Sequence, residues 1–359
     1  MNSTRSFHSL SRKTSRLKLF RGEPRSSSRH KRVVTTITAI LVTTITAGCG
    51  VRLEVAPPTE LEPTRDEIAR QSVVLELSTI AHLSSLASHD TQANVSKYLV
   101  EVARISQKRA LELGGQYESG LPTPEGAEPD VTTPALPSKA SVQDVITALS
   151  DSALRIRSTV SLPDDPQLAR LLGSISIAHV SQAQQLGTIT GTETAIPSAF
   201  VETPLVSGSL GLDVETTSRL AVLEDRAGYT LEVIAAMQDP KGRSVAQEAA
   251  RSHRKVASSL AEGAQIAGTG RDPRAVTYAL PFALDANTPT ASAEDIVTLA
   301  GNLETELATQ YLVALGLVEP QFREHLLDLA LDRALLAQHW VANADTFMFI
   351  ADEVIVEGG

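Results

Sequence analysis

Ser141-Val-Gln-Asp-Val-Ile-Thr147 returns 151 residues later as Ser292-Ala-Glu-Asp-Ile-Val-Thr298. The match extends outward in the same order. Downstream, Pro166-Gln-Leu168 reads against Pro320-Gln-Phe322 at an offset of 154, and Ala183-Gln184 against Ala337-Gln338 keeps that offset. Upstream, Ala135-Leu-Pro137 matches Ala279-Leu-Pro281, each a few residues after a Val-Thr, and Leu75-Glu76 matches Leu223-Glu224 at 148. The offset drifts only in segments that read as loops, where insertions are tolerated. Self-similarity of this order and spacing marks two copies of one structural unit.

The unit is helical. Val73, Ile80 and Leu83 share one face at spacings of 7 and 3, as do Leu220, Ala227, Leu231 and Ile234, and alternation with a period of two is nearly absent. Gly and Pro cluster in 114–140, 187–211 and 268–291, which mark the breaks. The pattern predicts helices over 65–89, 92–113, 141–160 and 166–186, then over 213–238, 242–267, 292–316 and 320–346. Short turns join the first to the second and the third to the fourth of each set; a long segment joins the second to the third. One long crossover in a four-helix bundle is the ferritin-like arrangement. The expected fold is therefore all-α: two tandem ferritin-like four-helix bundles, 65–190 and 213–351, with a linker at 191–212. A composition of 42% hydrophobic but only 4% aromatic residues, with one Trp, suits cores of Ala, Leu, Ile and Val on helices.

Charge divides the chain sharply. Residues 1–48 hold ten Lys or Arg and one acid, Glu23, which leaves 22 bases against 41 acids from Cys49 onward and a formal charge of -19 there. Such a surface repels nucleic acid and anionic lipid head groups, so no nucleic-acid partner is expected. The basic leader runs into an uncharged stretch, 33–47, and then Gly48 and Cys49. A basic region, a short apolar region and small residues before a cut describe an export signal. Fifteen residues are few for a membrane-spanning helix, which needs roughly 20. Thr46-Ala47-Gly48-Cys49 resembles a lipobox, where signal peptidase II cuts before a lipid-modified cysteine; Thr46 stands where that motif usually has Leu or Val. A plain secretory signal with an incidental cysteine, or an uncleaved anchor, is the competing reading. Cys49 is the only cysteine and falls at the end of the only apolar run of this kind, which favours lipid attachment. Residues 1–48 then form a signal peptide and 49–64, with Pro57, Pro58 and Pro63, a short tether. The expected location is the extracytoplasmic face of the cell membrane, reached through lipid on Cys49, with envelope proteins as partners.

The second unit carries Leu223-Glu-Asp-Arg-Ala-Gly-Tyr229, Ser252-His-Arg254, Ala275-Val-Thr-Tyr-Ala-Leu-Pro-Phe282 and a last helix with Trp340. Together these resemble a ferritin-like domain-of-unknown-function family of actinobacterial lipoproteins, with Tyr-Ala-Leu-Pro-Phe the most specific piece. The resemblance covers about 213–350, and the first unit is a fainter copy. It implies a ferritin-like fold and membrane attachment, and no reaction.

Ferritin-like di-iron proteins take a Glu from each of two helices and a Glu-x-x-His from each of the other two. No Glu lies three residues before any His here, so no cofactor is expected, and a metal ion is the alternative. Glu224, His253 and Glu304 each sit among apolar residues at helical spacing, and so does Arg333, with Leu326, Ala330, Leu336 and Trp340. Two readings stay open. The four form a polar core cluster, in which a Glu224–Arg333 pair bridged by His253 neutralises buried charge; or Glu224, His253 and Glu304 bind one metal or small ligand. In the first unit the matching positions read as Glu76, Gln107, Ala153 and His179. No local motif for a nucleophilic triad or a phosphate loop is present, so no catalytic residue is assigned. Arg251-Ser-His-Arg-Lys255 reads as a solvated helix face. The expectation is an extracytoplasmic lipoprotein acting as a structural or protein-interaction module; the alternative is a metal- or small-ligand-binding, redox-capable ferritin-like protein that uses the second bundle.

Overall fold

A computed structural model describes residues 61–117, 137–192, 194, 197, 210–280 and 292–341. The leader, Cys49 and the tether up to residue 60 lie outside the described residues, as does the chain beyond 341. The described residues are all-α, with no strand among them. None of the described helices is long and apolar enough to cross a membrane.

Among the described residues eight α-helices follow in order: α1 Arg65–Ala87, α2 Ala93–Glu112, α3 Val142–Thr159, α4 Pro166–Thr190, α5 Val214–Met237, α6 Pro240–Gly263, α7 Ala293–Leu315 and α8 Arg323–Trp340. A 3-10 turn, Pro320–Phe322, precedes α8. Side-chain oxygens set the starts by accepting from orphan backbone N–H groups of the first turn. Thr64 caps α1 and Asp213 caps α5. Ser141 with Asp144 and Ser292 with Asp295 close reciprocal boxes at α3 and α7. Asp165-Pro166 and Asp239-Pro240 open α4 and α6, with proline where its missing N–H costs nothing. At the far end of α4, Gly191 takes φ +68°, a left-handed cap that a side chain would strain.

The helices pack in two sets. In the first, α1 lies against α2 and α3, and α4 against α2 and α3; in the second, α5 lies against α6 and α7, and α7 against α8. The sets join where α4 meets α7 and α8. Residues 172–183 of α4 are therefore buried without a break, polar ones included. Gly173 marks the closest approach: a Cβ there would lie 3.3 Å from side-chain atoms of both Leu312 and Leu315. One core cluster runs across this join, linking Ile177 and Val180 to Leu307, Leu312, Leu327 and Leu331. Polar contacts reinforce it. Arg157 reaches from α3 to both oxygens of the buried Asp328 at 2.7 Å and to Glu324 at 2.7 Å. Arg323 Nη1 donates to the carbonyls of Val160 (3.3 Å) and Pro163 (2.6 Å).

Candidate functional site

The second helix set buries a charged cluster at its centre. Glu224 comes from α5, His253 from α6, Glu304 and Tyr311 from α7 and Arg333 from α8, all fully buried. Each sits on its helix's inward stripe because apolar residues three and four positions away hold that stripe against the core. Ala249, Ala250, Val256 and Ala257 do this for His253; Ala330 and Ala337 do it for Arg333.

Glu224 is engaged through both oxygens. Oε1 accepts from Tyr311 Oη at 2.6 Å and from Arg333 Nε at 3.0 Å; Oε2 pairs with His253 Nδ1 at 2.6 Å. The other imidazole nitrogen, Nε2, lies 2.9 Å from Glu304 Oε1. His253 thus bridges the two carboxylates, while Arg333 pairs with Glu224 directly. Arg333 Nη1 also donates to Asp332 Oδ2 at 2.9 Å, towards solvent. Glu304 Oε2 and Arg333 Nη2 are buried and have no hydrogen-bond partner among the described residues.

The electrostatics follow from this geometry. Burial alone pushes the Glu224 carboxyl up, but the facing Arg333 and His253 charges and the donated hydrogen bonds override it and hold the group well below the usual carboxylate range. For His253, burial and Arg333 push the pKa down, yet the two carboxylates win and the net shift is upward. With both ring nitrogens facing carboxylate oxygens, the imidazolium is the form that donates at both ends. Two anions and two cations then balance. Tyr311 is pushed well up by burial and by Glu224, which keeps its hydroxyl a donor.

Both imidazole nitrogens are committed to carboxylates, and the guanidinium puts a fixed positive charge beside Glu224. No group of three or more His, Cys, Asp or Glu side chains among the described residues is placed to hold one.

A second network lies one residue away on the outer side of α5. Asp225 accepts from Arg254 Nη1 at 2.6 Å and from Tyr278 Oη at 2.8 Å, and Arg254 continues to Glu232. Tyr278 also stacks at a tilt on Tyr229, with ring centroids 5.9 Å apart. The segment after α6 is therefore tied down onto α5. Arg254 belongs to this network and is not simply a solvated residue of the 251–255 stretch; Arg251 and Lys255 are exposed. Tyr311, whose hydroxyl donates to Glu224, and Asp225 are not among the candidates the sequence singles out. The signal for Asp225 was present in the adjacent acid pair Glu224-Asp225, whose side chains point about 100° apart on a helix.

The first helix set corrects the matching polar positions. Buried residues on α1 (Ala69, Val73, Val74, Leu77, Ile80, Ala81, Ser84) recur on α5 147 residues later (Thr216, Leu220, Ala221, Glu224, Ala227, Gly228, Leu231). The position in register with Glu224 is therefore Leu77, not Glu76, which turns outward to an ion pair with Arg155. The identical Leu-Glu pairs at offset 148 misled by one residue, which on a helix is 100° of rotation. The same 147 shift puts Ser106, not Gln107, in register with His253, and Gln107 is exposed. Ala153 and His179 do lie in register with Glu304 and Arg333. His179 is buried and shares a 3.1 Å hydrogen bond with Ser152 Oγ. Burial, helped by the nearby Arg109 charge, pushes its pKa down to about 3, so the ring is neutral.

Comparison with family models, with curated proteins and with solved structures found no match in any of the three.

Proposed function

We propose that this protein is a lipid-anchored component of the extracytoplasmic membrane face, whose two ferritin-like four-helix units act as a non-enzymatic contact module. The observation that carries the non-enzymatic part is the state of Glu224. Both of its oxygens are already taken by Tyr311, Arg333 and His253, so the carboxylate at the centre of the cluster is engaged within the fold instead of waiting for a substrate. Duplication is supported by burial registers of 147 for the first two helices of each set, 151 for the third and 154 for the fourth, and by matching caps such as Ser141 and Ser292. The anchor rests on Cys49, the single cysteine, behind Ala47-Gly48 and an uncharged run. Two or three acyl chains there hold a protein stably at a bilayer.

Expressed in a bacterial host, the full chain is expected to enter the detergent phase, with a mass on the Cys49 peptide that carries lipid. Cys49→Ser is expected to move it to the aqueous phase. If the Ser variant partitions as before, the anchor is wrong.

A second reading, ligand binding at the cluster, is favoured by one observation: Glu304 Oε2 and Arg333 Nη2 are a buried acceptor and donor without partners among the described residues. A small guest with one donor and one acceptor would satisfy both. Glu224→Gln separates the two readings: the first expects lower stability alone, the second loss of a bound molecule.

A further inference from the structure

The helix ends gather at two opposite ends of the fold. At one, α1 and α4 begin side by side. Asp66 accepts from the backbone N–H groups of Asp164 (2.7 Å) and Asp165 (3.2 Å), and Arg65 pairs with Asp164 at 3.2 Å. Arg323, the first residue of α8, donates to carbonyls of the α3–α4 turn. The α7–α8 turn closes on the same place, since a Cβ on Gly316 would lie 3.3 Å from the Pro166 carbonyl oxygen. Gly211, two residues before the cap of α5, lies against the ring of Phe322. The opposite end holds the α1–α2 and α5–α6 turns and the starts of α3 and α7.

Exposed apolar side chains divide unevenly between the two. The first end shows Leu61 (90% exposed), Leu162 in the α3–α4 turn (37%), Val214 at the start of α5 (52%) and Leu317 in the α7–α8 turn (59%). Ile68 in the first turn of α1 and Leu111 in the last turn of α2 are exposed just behind them. Among the described residues, the opposite end exposes no large apolar side chain in this way. A single exposed leucine is ordinary, but a group drawn from separate helices onto one end marks a contact surface.

The path of the chain says what covers it. Leu61 lies twelve residues after Cys49. Twelve residues reach about 40 Å when fully extended and about 20 Å as a flexible coil. Helix α1, with 23 residues, runs for about 35 Å. The end that holds Leu61 can therefore rest on a bilayer in which Cys49 is anchored. The opposite end reaches that bilayer only with the tether drawn out along the length of the fold. Charge does not choose the occupant: among the exposed charges of the α1 start and the two turns, Glu62, Asp164, Asp165 and Glu319 stand against Arg65. Neither an acidic segment nor an anionic head group is attracted there. Apolar contact remains, and the anchor supplies the proximity that charge does not, because a linked second site needs little affinity of its own.

We infer that this end is the face the protein rests on the membrane, where Leu61, Leu162, Val214 and Leu317 enter the interfacial region of the bilayer that holds Cys49. The inference rests on the lipid-anchor reading and adds a posture to it, with the α1–α2 and α5–α6 turns pointing away from the bilayer.

The test uses the full lipid-bearing chain in phosphatidylcholine vesicles. With lipid on Cys49, an introduced cysteine is the only free thiol. A bimane label goes on Gln321→Cys at the first end or on His89→Cys at the opposite end, both exposed polar positions, so that it replaces no apolar contact. Nitroxide-bearing phosphatidylcholine is expected to quench most of the fluorescence at 321 and to leave that at 89 unchanged. Leu162→Gln with Leu317→Gln is expected to restore the fluorescence at 321 while the protein still floats with the vesicles. Leu317→Gln alone, at the more exposed position, replaces the pair if melting shows a loss of fold. Equal quenching at 321 and 89, quenching that the Gln pair leaves unchanged, or stronger quenching when phosphatidylglycerol replaces half of the lipid would overturn the inference. So would a dimer in detergent that the Gln pair dissolves, which would make this end an interface between copies. A chain that floats but is not quenched at 321 sinks this inference and keeps the anchor; a chain that does not float sinks both.

Discussion

Replacing Arg333 with Met removes the guanidinium that pairs with Glu224 at 3.0 Å and keeps a side chain of similar length. Glu224 retains His253 and Tyr311, but the cluster changes from two anions and two cations to two anions and one cation, with every member fully buried. Removing one partner of a buried ion pair costs about 3–5 kcal/mol, mostly because the remaining charge is stranded. For a folded part of this size that lowers the melting temperature by on the order of 10 °C. Glu224→Leu combined with Arg333→Met leaves His253 and Glu304 as a neutral pair, so the double variant should lose less than the sum of the single losses. Urea unfolding of the full chain at pH 7, followed by helical circular dichroism, measures all four corners of the cycle. A loss below about 1 kcal/mol for Arg333→Met, or single losses that add to within about 0.5 kcal/mol, would refute the reasoning.

A pH series of the same unfolding experiment should show opposing trends. Glu224 is depressed in the fold, so its contribution is present above about pH 4.5 and drains away as pH falls through its native value. His253 is raised, so its contribution is complete below about pH 6.5 and fades as pH climbs through the native value; His253→Gln should flatten the alkaline limb. His179 is depressed to about 3, so stability should fall as pH drops from 6.5 towards 3. That loss is about 2 kcal/mol by pH 5, and His179→Leu should remove it. At the join of the helix sets, Arg157→Met removes the guanidinium that pairs with the buried Asp328 and should cost about 2–4 kcal/mol in the same assay; a change within about 0.5 kcal/mol would mean the join does not depend on that pair. Gly173→Leu should force apart α4 and α7, visible as lost cooperativity in unfolding.

The helices were legible because periodicity and punctuation agree. Pro166 and Pro240 each open a helix, and the expected spans differ from the observed ones by a few residues at their ends, with 342–346 of the last expected helix outside the described residues. Glu224, His253, Glu304 and Arg333 stood out because a charge on an apolar stripe has to be neutralised, and the structure brings all four together. The one-residue slip at Glu76 had a physical source. Identity of two letters is a weaker guide to helix register than seven buried positions, and only burial reveals those. The join through α4 was not legible, because a helix buried on all sides still carries Ser174, Ser176, Ser181 and Gln182, and reads as half-exposed.

The most direct test of the central claim, that the cluster is closed upon itself, is metal analysis of the purified full chain. The protein is loaded in turn with iron, manganese and zinc and then desalted. The account predicts no more than a substoichiometric trace, the same in wild type and in Glu224→Gln. About one equivalent retained by the wild type and lost in Glu224→Gln would contradict it, and would make the cluster a ligand site.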